Sequence, residues 1–175
     1  MSTNAYRNAL PGTLIIKRML SLITSLPSLL RGLRIVNNTD KAKPVGLGLC
    51  FEQAVQSNPK GLAVIYESQA LTYAQFNAWV NQIAHYLQSR SIQKGDCVAI
   101  LIENRPELLA TVLACAKIGA VSAMINTSQK AKVLIHSINL VNPRLIVAGE
   151  ECVSAYEAVR QDIAVDTDCH LFLAD

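Results

Sequence analysis

Four pieces of sequence decide the fold: Gly95-Asp96-Cys97-Val98-Ala99-Ile100-Leu101-Ile102, then Glu103-Asn104-Arg105-Pro106-Glu107, then Lys117-Ile118-Gly119-Ala120-Val121, then Ile125-Asn126-Thr127. The run from Cys97 to Ile102 is almost continuously apolar, as a strand buried on both faces is. Pro106 suits the first position of a helix, and Glu107 favours the positive end of its dipole. Leu109, Val112, Leu113 and Ala116 mark a buried helical face, and Gly119 stands where a left-handed cap ends the helix. Val121 to Ile125 reads as a second buried strand. The spacing therefore predicts strand, helix and strand, with the helix over 106–117.

The same alternation continues on both sides. Thr127 or Ser128 is placed to cap a helix over 129–140 carrying Val133, Leu134 and Ile138. Asn142-Pro143 turns the chain into a strand over Leu145–Ala148. A weaker helix with Val153, Tyr156 and Val159 follows, and Leu171-Phe172-Leu173 reads as a last strand. Upstream, Cys50–Gln56 reads as a short helix and Ala63–Tyr66 as a strand with a turn near Glu67-Ser68. Thr72-Tyr73-Ala74-Gln75 is a capping box, with Leu71 able to staple onto Phe76. Phe76, Val80, Ile83 and Leu87 form the core-facing stripe of the next helix, with Trp79 and Tyr86 packed beside it. Strands 97–102, 121–125 and 145–148 are expected to be parallel neighbours joined by right-handed crossovers. The fold class is α/β.

Of the 175 residues, 51% are hydrophobic and 17% charged, a composition that fits a packed α/β body. Aromatics make up 5%, too few to stack on single-stranded nucleic acid, and no nucleic-acid partner is expected. Charge is unevenly spread. Residues 1–43 carry seven basic side chains against Asp40 alone, a net +6, while the rest of the chain carries −3. This divides the chain into an amphipathic basic arm with its linker, 1–48, and a body, 49–175. Within the arm, Ile16, Met19, Leu20, Ile23 and Leu26 share a helical face. The longest uncharged run, Met19 to Leu30, has twelve residues, short of the roughly 20 that cross a bilayer. Two readings of segment 14–36 stand: an interfacial helix on an anionic membrane surface, or a helix packed on other protein. The cellular setting expected is the cytoplasm, with the arm on the inner face of the membrane.

Motifs of complete active sites are missing from the sequence. It contains neither a G-x-x-x-x-G-K-[ST] loop nor a G-x-G-x-x-G loop, and Gly46-Leu47-Gly48 lies outside any strand-to-helix turn. His85, His136 and His170 lack partners at metal spacing. No G-x-S-x-G elbow occurs. The five cysteines are scattered, which suits free thiols in a reducing compartment. Glu150-Glu151 and Asp166-Thr167-Asp168 read as solvated loop or helix-start residues. Asn126-Thr127-Ser128, after a buried strand and before a helix, is the best local candidate for contact with an anion, and helix capping explains it equally well. No catalytic residue and no metal ligand is assigned, and the cofactor-binding residues are unknown.

From about residue 50 to 148 the chain resembles the early N-terminal domain of the AMP-forming acyl-CoA synthetases, in the adenylate-forming superfamily. The resemblance lies in Leu71-Thr72-Tyr73-Ala74-Gln75, Asn81-Gln82-Ile83-Ala84, Lys94-Gly95-Asp96, Glu103-Asn104-Arg105-Pro106-Glu107 and Lys117-Ile118-Gly119-Ala120-Val121. Ala123-Met124-Ile125-Asn126-Thr127 and Leu134-Ile135-His136-Ser137-Ile138 are similar to the fatty acid transport protein and very-long-chain branch. The resemblance implies an incomplete N-terminal adenylation domain, the opening fragment of a long- or very-long-chain fatty acid–CoA ligase. Such enzymes use ATP with Mg2+ to form an acyl-adenylate and pyrophosphate, then pass the acyl group to CoA. The later phosphate loop and the catalytic lysine of the C-terminal domain have no counterpart here, so this chain alone is expected to be inactive and to bind none of these cofactors by itself. Ser91 stands where the family usually has Gly. The alternative is a non-catalytic, membrane-peripheral α/β binding module.

Overall fold

A computed structural model describes residues 46–165, the backbone of strand residues 170–173, and the isolated Leu26, Pro27 and Leu30. The chain divides into two compact units, Met1–Pro44 and Val45–Asp175, and the architecture below belongs to the second. The expected amphipathic helix over 14–36 and the Asp166-Thr167-Asp168 group lie outside the described residues, apart from those three isolated positions.

The described chain runs α1 (Leu47–Ser57), β1 (Leu62–Tyr66), β2 (Gln69–Thr72), α2 (Tyr73–Ser89), β3 (Cys97–Leu101), α3 (Pro106–Ile118), β4 (Val121–Met124), α4 (Ala131–Val141), β5 (Leu145–Gly149), α5 (Val153–Glu157) and β6 (His170–Leu173). Short 3-10 turns at Glu150–Cys152 and Arg160–Asp162 flank α5. β1 and β2 pair antiparallel. The other strands form one sheet in the order β4-β3-β5-β6, parallel throughout.

Alternation along the central strands sorts the core into two layers, because successive strand side chains point to opposite faces. Val98, Ile100, Ile102, Leu145 and Val147 join the layer made with α1, α2 and α3, while Ala99, Leu101, Ile146 and Ala148 join Leu134, Ile138, Tyr156 and Val159 of the α4–α5 side. The step from β3 to β4 thus crosses on one face, and the step from β4 back past β3 to β5 crosses on the other. Opposite directions on opposite faces give the two crossovers the same hand.

Local signals were mostly obeyed. The Thr72 hydroxyl accepts from the Gln75 N–H at 3.3 Å, while the Thr72 N–H donates to the Gln75 side chain at 2.9 Å. Gly119 caps α3 with φ 77°. Ser91, where a glycine is usual in the resembling family, has φ 61°, so a β-carbon is carried in the left-handed region.

Five expectations need correction. α1 begins at Leu47 rather than Cys50, because Gly48 lets it approach α3: a β-carbon there would lie 2.9 Å from the Ala116 carbonyl oxygen. A second strand, β2, follows the Glu67-Ser68 turn and makes a hairpin. α4 is capped at Lys130, not at Thr127 or Ser128, and spans 131–141. On α3, Leu109 is 45% exposed, and the inward positions are Ala110, Leu113, Ala114, Cys115 and Thr111. Thr111 can be buried because its hydroxyl donates to the Glu107 carbonyl at 2.8 Å. On α4, Val133 is 58% exposed while Leu134 and Ile138 are fully buried.

A lysine ties the first helical layer together. The Lys117 ammonium reaches Asn77 Oδ1 at 2.5 Å and Asn81 Oδ1 at 2.7 Å, pairs with Glu52, and lies 5.4 Å from the centre of the Phe51 ring. One cation thus collects acceptors from α1 and α2 onto α3, satisfying a charge that would otherwise be costly to bury.

Candidate functional site

Open parallel sheets take ligands at the carboxyl ends of their strands, where neighbouring connections leave to opposite faces. Here that point lies between β3 and β5, since α3 follows β3 onto one face and α5 follows β5 onto the other. The chain fills this crevice with its own side chains. The Glu103 N–H donates to Glu151 Oε1 at 2.7 Å, and Arg105 Nη2 lies 2.9 Å from Glu151 Oε2. Arg105 Nε is also 3.7 Å from Glu107 Oε2, and the Arg105 side chain is only 10% exposed. Gly149 matters to this closure, since a β-carbon there would collide with the Glu151 carboxylate.

Glu151 is exposed and stands in the first turn of the 3-10 helix Glu150–Cys152, as a solvated helix-start acid would, and its carboxylate has a further part. It bridges the β3–α3 loop to the turn after β5. No local signal could have shown this, because its partners lie 46 and 48 positions earlier in the chain. Beneath it, Cys152 is buried, and burial together with the Glu151 and Glu103 charges pushes its thiol up to about 11. Burial also raises the Cys115 and Cys97 thiols. These are protonated structural thiols, since nucleophilic attack needs the thiolate.

Asn126-Thr127-Ser128 closes on itself. Asn126 Oδ1 accepts from the Ser128 N–H at 2.9 Å and from the Ser128 hydroxyl at 2.8 Å. Of the two readings offered for this tripeptide, helix capping does not hold, because α4 has its N-cap at Lys130, beyond this turn. His85 and His136 stay apart on separate helices. Among the described residues no group of three or more His, Cys, Asp or Glu side chains could hold a metal ion, and no helix is long and apolar enough to cross a membrane.

Among the described residues, cavities lie along this edge and its flanking helices. One of about 360 Å³ lies between the β1–β2 turn and the start of α3, lined by Tyr66, Glu67, Gln69, Arg105, Pro106 and Glu107. A second of about 460 Å³ lies between α4 and α5, with Lys130, Lys132 and Asp162 at its polar margin. A third, about 240 Å³, is an uncharged groove between α2 and α3.

Residues 51–173 match the family described as AMP-binding enzyme. The chain belongs to that family. The AMP-binding chain is 29% identical over 138 residues to medium/long-chain-fatty-acid–CoA ligase FadD6 of Mycobacterium tuberculosis, covering 79% of its own length and 23% of the ligase. It is 31% identical over 110 residues to long-chain fatty acid transport protein 6 of Mus musculus, covering 62% of its own length and 18% of that protein. The fold matches the N-terminal domain of FACL13 from Mycobacterium tuberculosis with TM-score 0.70 and 26% identity, over 74% of this chain and 34% of that one. The AMP-binding chain thus spans less than a quarter of the curated relatives it matches.

Family membership implies ATP, and the described residues do not fit it. The crevice at the switch point is occupied by the Arg105–Glu151 pair, the Ser128 N–H is engaged by Asn126, and no phosphate loop is present in the sequence. Catalysis of phosphate chemistry needs placed donors and cations.

Proposed function

We propose that this chain is the opening portion of the adenylation domain of a long- or very-long-chain fatty acid–CoA ligase. In the complete enzyme, a fatty acid would react with ATP and Mg2+ to give an acyl-adenylate and pyrophosphate, and CoA would then take the acyl group. The observation carrying this reading is the family match over 51–173, with relatives named for fatty acids at 29% and 31% identity. The role assigned to these residues is architectural: β3, β4 and β5 found the parallel sheet, and the Glu103–Arg105–Glu151 bridge fixes the loops at its carboxyl edge. The basic arm, net +6 over residues 1–43, is proposed as the contact with an anionic membrane face in the cytoplasm.

The 175-residue chain alone is inactive on this account. With ATP, Mg2+ and oleate it gives no pyrophosphate above a protein-free control in a coupled phosphate assay. Oleate-dependent turnover by the chain alone would show that its residues make a working site and would sink the assignment.

A further inference from the structure

We draw no further inference here: the strongest candidate, the cavity of about 460 Å³ between α4 and α5 with Lys130 and Lys132 beside the N-terminus of α4, carries nothing, because a helix start with two exposed lysines is no site without a second feature that points to a ligand, and none accompanies it among the described residues.

Discussion

Ser91 holds a β-carbon at φ 61°, a region that costs an L-residue roughly 1 kcal/mol or more relative to glycine. Ser91→Gly should therefore raise stability by about 1 kcal/mol, read as a higher urea midpoint at unchanged slope; a lower midpoint would contradict the strain. This position was legible only through the family resemblance, in which glycine usually stands where this chain has Ser91; a serine carries no local mark of a left-handed residue. Cys152 was not legible, since its surroundings come from Glu103, Arg105 and Glu151. Its thiol is raised from 9.0 to about 11, so the unfolded chain loses this proton first. Its contribution to stability is complete below pH 9 and drains away as pH rises towards 11. Under reducing conditions Cys152→Ala should flatten that part of the pH dependence, and an unchanged alkaline slope would rule the thiol out as its source.

At the scale of elements, strand and helix identities along 97–148 could be read because each carries a complete local grammar: an apolar run, Pro106 at a helix start, Gly119 at its end. What failed were choices that depend on neighbours. Leu109 fits a helical stripe on paper, yet α3 turns its small residues inward because α2 and the sheet approach closely from that side. The start of α1 at Leu47 is the same lesson, since Gly48 reads as linker until the backbone of α3 is beside it. Gly48→Ala tests this. In an exposed helix interior the change would stabilise by about 1 kcal/mol, but here the new carbon meets the Ala116 carbonyl at 2.9 Å. A drop in thermal midpoint is expected, and a rise would mean that α1 does not depend on that approach.

For the whole molecule, the parallel pairing of strands 97–102, 121–125 and 145–148 was within reach of sequence reasoning, because βαβ units leave few topologies to consider, while the order β4-β3-β5-β6 came from the structure. The site was legible only as a set of missing motifs. What the structure added is the contact at the carboxyl edge of the sheet, where Glu151 takes the Glu103 N–H and pairs with Arg105. The chain is proposed as scaffold of a fatty acid–CoA ligase. Its most direct test joins the chain to the part of the Mycobacterium tuberculosis FadD6 ligase outside the match and measures oleate-dependent pyrophosphate release. The account predicts pyrophosphate from the fusion with ATP, Mg2+ and oleate, acyl-CoA once CoA is added, and neither from either part alone. A folded fusion that releases none, beside an active parent ligase, would contradict it.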